Sequence, residues 1–180
     1  TTLPIVATFG FPVESGFVKS LAHPGGNITG VAVLADELSA KRLALMKEIL
    51  PRLSRVAVLW DPVTHERQPK AAEAAARALG LQAEVLSAKA APDLAGAFER
   101  ARAARADALL VLVSPMFQGH ARAFTDLAAR HRMPVMYPIQ SYVEAGGLIA
   151  YGFVGTEPWR LAAASIDKIL KGARAADLPI

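Results

Sequence analysis

The sequence predicts an α/β fold in which a mainly parallel sheet lies between two layers of helices, a three-layer sandwich. Short runs of β-favouring residues alternate along the chain with amphipathic segments of helical length, which is typical of parallel strands joined by helices. Two of the runs, RVAVLW at residues 55–60 and ALLVLV at residues 108–113, are almost continuously apolar. Strands with that pattern are covered by helices on both faces.

Seven strands follow from this alternation, and the segments between them are amphipathic and have helical length. They are predicted at residues 4–9, 28–34, 55–60, 82–86, 108–113, 134–137 and 148–151.

The residues at the ends of the predicted helices agree with this order. Ser114 followed by Pro115 has the form of an N-cap and a first helical position. Gly80 directly follows the alanine-rich segment AAEAAARAL, where a left-handed residue commonly ends a helix. Pro92 and Asp93 open the next helix with an acid in its first turn. Pro134 ends the helix that precedes the sixth strand.

Composition and charge exclude several classes of function. The chain has 180 residues, 53% of them apolar, and no apolar run approaches the ~20 residues that a membrane-spanning helix needs. The net charge of +4 comes from scattered side chains, so we expect no nucleic-acid partner, which would require a basic stripe mixed with aromatic residues. The absence of cysteine excludes thiol nucleophiles and thiolate metal sites.

No pattern in the chain indicates catalysis, a cofactor or a metal. The four histidines stand far apart without acidic neighbours at ligand spacing, and no G-x-S-x-G motif is present. Asp61 follows a strand, where a magnesium ligand is sometimes found, but the adjacent Pro62 favours an Asp-Pro turn. We therefore expect a protein that is not an enzyme, with no catalytic, cofactor-binding or metal-binding residues.

The glycine-rich stretch HPGGNITG, residues 23–30, raises the question of a phosphate-binding loop. It lacks the Lys-Ser or Lys-Thr of a P-loop and the spacing of a dinucleotide site. Its glycines are better explained by positive φ in a tight turn, with Asn27 able to adopt a left-handed conformation. Because the strand and helix before it have no local partner, we expect it to connect two lobes.

The strongest functional signal is a set of aromatic and polar residues at the carboxyl ends of predicted strands. In open parallel sheets, ligands bind in the crevice outside those ends, where helix N-termini also point. Aromatic groups there can enclose a small solute and polar groups can hydrogen-bond to it. The candidate ligand-binding residues are Phe11, Trp60, Ser114, Phe117, Tyr137 and Gln140.

Several stretches together resemble the ABC-transporter substrate-binding proteins of the family that includes tryptophan and phenylalanine binders, which have a type I periplasmic binding protein fold. They run in the family's order and spacing through nearly the whole chain. The matching stretches are FVKSLAHPGGNITGV, KRLALMKEILPRLSRVAVLWDP, EAAARALGL, RADALLVL, LAARHRMPVMYP, YVEAGGLIAYG and IDKILKGARAADLP.

The resemblance implies two α/β lobes that close on a solute in the cleft between them and then dock on an ABC permease in the membrane. Residues 31–152 would form the second lobe, residues 1–30 a remnant of the first lobe with the first crossover, and residues 153–180 the helix returning to it. It also implies a periplasmic or lipid-anchored extracytoplasmic location. On this view the chain is truncated, lacking the export signal, most of the first lobe and the final segment.

Departures from the family's pattern bear on the solute. Members often have Ser-Asp-Pro-Val where this chain has Gly-Phe-Pro-Val at residues 10–13, and Tyr-Gly-Pro-Asp where it has Tyr-Gly-Phe-Val at residues 151–154. Those that resemble the amino-acid binders carry acids near Ile139, Gln140 and Ser141. A desolvated ammonium needs an acidic or carbonyl partner, and Phe11, Ile139 and Val154 supply none.

The hypothesis from these departures is an aromatic or aliphatic carboxylate bound near Ser114 and Phe117, with an amino acid as the other solute class. Two further functions stay open. The nearest is the effector-binding core of a transcription regulator, which shares the two-lobe architecture, and the other is an enzyme of flavodoxin-like or Rossmann-like type. A DNA-binding segment upstream would favour the regulator, and an export signal would favour transport.

Overall fold

The computed structural model describes residues 3–33, 37–153 and 156–180. The chain divides into two compact units: unit 1 comprises Thr1–Leu34 with Val154–Ile180, and unit 2 comprises Ala35–Phe153. The predicted boundaries at residues 30/31 and 152/153 remain predictions about the lobes of a larger protein.

Unit 1 contains a two-stranded parallel sheet and one long helix. Strands β1 (Ile5–Phe9) and β2 (Ile28–Ala32) pair in register from Ile5 opposite Ile28 to Phe9 opposite Ala32. Helix α7 (Glu157–Leu170) packs against both strands, and a short 3₁₀ segment, Ala175–Asp177, contacts β2. Strand β1, for which the sequence shows no local partner, thus pairs with β2 and packs on α7. The prediction of a helix between β1 and the glycine-rich stretch is wrong, because residues 10–27 form turns and bends.

The glycine-rich stretch ends in a close backbone approach. Gly30 has φ of +152°, and a Cβ at that position would lie 1.8 Å from the carbonyl oxygen of Ala7. Gly25 has φ of +74°, as the prediction of a tight turn requires. The expectation for Asn27 is wrong: its φ is not positive, and its side-chain amide donates a hydrogen bond to the carbonyl of Leu3 at 2.7 Å.

Unit 2 contains a five-stranded parallel sheet. Its strands are β3 (Arg55–Trp60), β4 (Gln82–Ser87), β5 (Ala108–Val111), β6 (Val135–Tyr137) and β7 (Ile149–Ala150). They lie in the order β4-β3-β5-β6-β7, and every pair is parallel. All seven predicted strands are therefore present in the chain, although the predicted end of β2 at Leu34 lies outside the described residues.

Seven helices of the described residues accompany these strands, six of them in unit 2. The helices of unit 2 are α1 (Glu37–Ile49), α2 (Arg67–Ala78), α3 (Asp93–Ala103), α4 (Pro115–Gln118), α5 (Ala121–His131) and α6 (Ser141–Glu144).

The sheet of unit 2 has a hydrophobic core on each face, which explains its apolar strands. In β3, Val56 and Val58 belong to one core, whereas Ala57 and Leu59 belong to the other. Helices α1 and α2 contribute side chains to the first core, and α3 and α5 contribute to the second. The predicted α/β sandwich with a mainly parallel sheet is confirmed.

The predicted helix ends are also confirmed. The Ser114 hydroxyl accepts a hydrogen bond from the backbone N–H of Phe117, with Pro115 at the first helical position. Gly80 follows α2 with φ of +70°. The Asp93 carboxylate accepts bonds from the N–H groups of Lys89 and Ala90 just before α3.

Candidate functional site

The carboxyl ends of β3, β5 and β6 lie side by side, because these strands are neighbours in a parallel sheet. This edge of the sheet in unit 2 is called the carboxyl edge below. Trp60 ends β3, Ser114 follows β5 by three residues, Tyr137 ends β6 and Gln140 follows it by three. Four of the candidate residues are thus brought to one edge. Phe11 belongs to unit 1, where it follows β1 and is buried.

A buried hydrogen bond ties the loop after β3 to the loop after β5. The Ser114 hydroxyl donates to the Asp61 carboxylate at 2.6 Å, and each residue is only 3% exposed. The same hydroxyl accepts from the N–H of Phe117 at 3.2 Å. Ser114 is therefore already engaged as donor and acceptor, so it serves as a cap and a tie rather than as an available solute ligand.

Asp61 forms the turn that its Pro62 neighbour predicts. Its second carboxylate oxygen accepts a bond from the N–H of Val63 at 2.9 Å, and its backbone carbonyl accepts from the hydroxyl and the N–H of Thr64. The carboxylate is nevertheless buried at the carboxyl edge. The sequence prediction of a turn is correct, but it does not anticipate a buried negative charge at this position.

A second tie connects the first turn of α2, which directly follows the loop after β3, to the loop after β5. The buried Gln68 side chain, at the start of α2, donates to the carbonyl of Val113 and accepts from its N–H, both at 3.1 Å. The Gln68 amide makes the two backbone hydrogen bonds to Val113 that a neighbouring strand would otherwise make. This agrees with β5 ending at Val111 although the apolar run continues to Val113. The loops after β3 and β5 are therefore doubly fixed.

Two of the predicted aromatic contacts, Phe117 and Tyr137, lie in the core instead. Phe117 is fully buried, with its ring 5.2 Å from that of Phe124, and Tyr137 is 1% exposed and stacks on Tyr142 at 4.7 Å. Their rings fill the face of the sheet that packs on α3 and α5. Neither side chain is therefore available to contact a solute.

The Tyr137 and Tyr142 hydroxyls are buried without a hydrogen-bond partner among the described residues. Burial raises the pKa of both phenols, and for Tyr142 the nearby Tyr137 hydroxyl raises it further. Both side chains therefore stay neutral.

Trp60 and Gln140 are the predicted residues that remain accessible at the carboxyl edge. Trp60 is partly exposed and also packs against the core on the α1 and α2 face. Gln140 is exposed, and its amide donates to the Glu144 carboxylate at 3.1 Å. Ile139 beside it is buried. Val154, another of the departures from the family's pattern, lies outside the described residues.

The prediction missed Arg42, a fully buried cation at the carboxyl edge. Its Nε donates to the carbonyl of Tyr151 at 2.7 Å, and its Nη2 donates to the carbonyl of Pro138 at 3.3 Å. Burial lowers the pKa of the guanidinium to about 10, so it is charged at neutral pH. A signal is present in the sequence, because Ser39, Arg42, Leu43 and Met46 have the i, i+3, i+4, i+7 spacing of a buried stripe.

A cavity of about 410 Å³ lies at the other end of β6. It is lined mainly by apolar residues of α5 and of the segments that lead into β6 and β7, including Met133, Pro134 and Leu148. Because these segments precede the strands, the cavity is mostly on the amino side of the sheet.

No group of three or more histidine, aspartate or glutamate side chains that could hold a metal ion occurs in residues 3–33, 37–153 and 156–180. None of the helices in those ranges is long and apolar enough to cross a membrane.

An open parallel sheet between helix layers, with tied loops and accessible groups at its carboxyl edge, has the form of a ligand-binding lobe. A sequence model of the family described as ABC transporter substrate binding protein matches residues 1–180. The chain belongs to that family, whose members are solute-binding proteins rather than enzymes and act outside the cytoplasm.

Solved structures share the fold along almost the whole chain. A Vibrio cholerae conserved domain protein is 26% identical with a TM-score of 0.86, covering 99% of this chain and 61% of that one. An ABC domain from Streptococcus pneumonia in complex with L-Trp is 24% identical with a TM-score of 0.84, covering 98% of this chain and 60% of that one. Both have the type I periplasmic binding protein architecture.

A curated relative matches a shorter part of the sequence. The tyrosine-binding protein of Clostridioides difficile (strain R20291) is 41% identical over 61 residues, which is 33% of this chain and 17% of the relative. The chain spans about 60% of the length of the two solved structures.

Proposed function

We propose that this chain is part of the extracytoplasmic solute-binding component of an ABC importer and binds a small organic solute at the carboxyl edge of unit 2. The observation that carries the proposal is the pair of ties, Asp61 to Ser114 and Gln68 to Val113, which fixes the loops after β3 and β5. A binding surface that is ordered in advance loses less conformational entropy when a solute binds.

The solute class that we favour is an amino acid with an apolar or aromatic side chain. The Asp61 carboxylate is buried, and both of its oxygens already accept hydrogen bonds from Ser114 and Val63. It would therefore act on a solute through its charge rather than by direct contact, favouring an ammonium group over a carboxylate near Ser114. This revises the hypothesis of a simple carboxylate, which depended on the absence of an acid. A tyrosine-binding relative and a structure in complex with L-Trp support the same class.

The accessible candidates at this edge supply different interactions. The Trp60 indole would pack against the apolar part of the solute, and the Gln140 amide would hydrogen-bond to a polar group. The roles of Phe11 and of a cleft between two lobes stay predictions from the resemblance.

Calorimetry on the complete gene product tests the solute class. L-tryptophan and L-tyrosine are compared with their deaminated analogues, 3-indolepropionate and 3-(4-hydroxyphenyl)propionate. We expect the amino acids to bind more tightly, and Asp61→Asn to weaken their binding about tenfold, the effect of a ~1.4 kcal/mol charge interaction in a partly desolvated site. Binding of the deaminated analogues alone would overturn the choice of amino acids.

Transport itself requires a cellular measurement. If the protein delivers the solute to a membrane permease, deleting its gene should reduce uptake of labelled L-tryptophan or L-tyrosine, and the protein should occur in the extracytoplasmic fraction. A transcription regulator would instead stay in the cytoplasm and alter gene expression. The family match along the whole chain favours transport.

A further inference from the structure

Arg42 connects the beginning of unit 2 to its end. It lies in α1, the first helix of unit 2, and its guanidinium contacts the carbonyl of Tyr151, two residues before the unit ends at Phe153. The second contact is the carbonyl of Pro138, which follows β6 at the carboxyl edge. We call residues 151–153 the exit segment and residues 138–140 the edge loop.

The exit segment is held close to the edge loop by backbone contacts as well. The N–H of Tyr151 donates to the carbonyl of Tyr137 at 3.0 Å, just before the edge loop. A Cβ at Gly152 would lie 1.8 Å from the Pro138 oxygen and 3.1 Å from Nη2 of Arg42. Only glycine therefore allows this approach, and the guanidinium occupies the space directly beside it.

Arginine suits this position better than lysine. A guanidinium carries several N–H donors in a fixed plane, so one side chain can bind two carbonyl oxygens in set directions. A lysine ammonium is a point charge on a flexible stem and fixes no such geometry. Because Arg42 is fully buried, its bonds are shielded from competing water.

We propose that Arg42 is a positioning residue that holds the exit segment and the edge loop in one arrangement, so that the backbone hydrogen bonds of both segments are lost and re-formed in the same step. This inference rests on the proposed function only in treating the edge loop as part of the solute-binding edge. The contacts with Tyr151 and Pro138 are local and would exist whatever the solute is.

Amide hydrogen exchange on the complete gene product tests this role without any solute. We expect Arg42→Lys to accelerate exchange of the Tyr151 amide at least tenfold, while amides in the β3–β4 ladder change less than threefold. Asp107→Ala is the matched control, because it removes the carboxylate oxygen that accepts from the N–H groups of Ser54 and Arg55 at the opposite end of the sheet. The control should accelerate exchange at Ser54 and Arg55 and leave Tyr151 unchanged.

A purely structural role would give a different result. If Arg42→Lys accelerates exchange equally throughout unit 2, or has no effect at Tyr151, the proposal is overturned. Should the variant not fold, exchange of the unsubstituted protein in low urea decides: we expect the Tyr151 amide to open in the same cooperative step as amides of α1 near Arg42. Separate opening of these groups would refute the positioning role.

The solute experiment remains distinguishable from this test. L-tryptophan titrated into the unsubstituted protein examines the proposed function, whereas the exchange pattern examines Arg42. Absence of tryptophan binding would count against the proposed solute and leave the exchange result decisive for Arg42.

Discussion

Replacing Ser114 by alanine should destabilise unit 2 strongly for so small a change. The variant loses the N-cap bond to Phe117, worth about 1 kcal/mol. It also removes the 2.6 Å hydrogen bond to the buried Asp61 carboxylate, and hydrogen bonds to charged groups contribute roughly 1.5–3 kcal/mol. The expected loss in the free energy of unfolding is about 3 kcal/mol, or about 2 M in urea midpoint if m is ~1.5 kcal/mol/M.

Urea unfolding followed by tryptophan fluorescence measures this loss in unit 2. Trp60 lies in unit 2 and Trp159 in unit 1, and the chain has only these two tryptophans. In a Trp159→Phe background the signal therefore reports on unit 2 alone. Ser114→Thr keeps a hydroxyl and should recover at least half of the lost stability.

The matched control is Ser87→Ala, which changes an exposed serine at the end of the neighbouring strand β4. Exposed substitutions of this kind stay within about 0.5 kcal/mol. If Ser114→Ala is no more destabilising than Ser87→Ala, the tie between the loops contributes nothing, and the argument that it orders the binding edge fails.

Three further predictions concern other contacts. Hydrogen bonds from the N–H groups of Arg55 and Ser54 lower the pKa of Asp107. The stability that its carboxylate contributes is therefore present above the unfolded pKa of about 4 and is lost as pH falls through the folded pKa. The difference in urea midpoint between the unsubstituted protein and Asp107→Asn should be full at pH 6 and shrink by pH 2–3, and a constant difference would contradict this. Gly30→Ala, whose Cβ would strike the Ala7 carbonyl, should destabilise unit 1 by at least ~2 kcal/mol by Trp159 fluorescence, whereas Gly10→Ala, with open space around its Cβ, serves as the control. Tyr142→Phe removes a buried hydroxyl that has no partner among the described residues, so thermal unfolding should show it to be neutral or stabilising; a loss above 1 kcal/mol would reveal a partner for this hydroxyl.

The fold was predictable because periodicity reports burial directly. An apolar residue at nearly every position of β3 requires cover on both faces, and cores on both sides of the sheet provide it. The caps at Ser114 and Gly80 were predictable because they depend on a few adjacent residues. Asn27 shows the limit of such local reasoning, because its partner Leu3 lies two residues before the paired strand β1 and 24 residues away along the chain.

The site was predictable in its place but not in its details. Chain order brings Trp60, Ser114 and Gln140 to one edge, since parallel strands end on the same side. Which side chains turn inward there depends on packing between distant elements. Phe117 packs against Phe124 of α5 and is therefore part of the core. Arg42 can be buried because its guanidinium donates hydrogen bonds to two backbone carbonyls.

The double tie between the loops after β3 and β5 has an evolutionary consequence. Asp61, Ser114 and Gln68 satisfy each other and the backbone, so the scaffold does not depend on which cargo it carries. Exposed neighbours such as Gln140 can mutate without disturbing that frame. A lineage could in this way exchange one nutrient for another while keeping the same architecture.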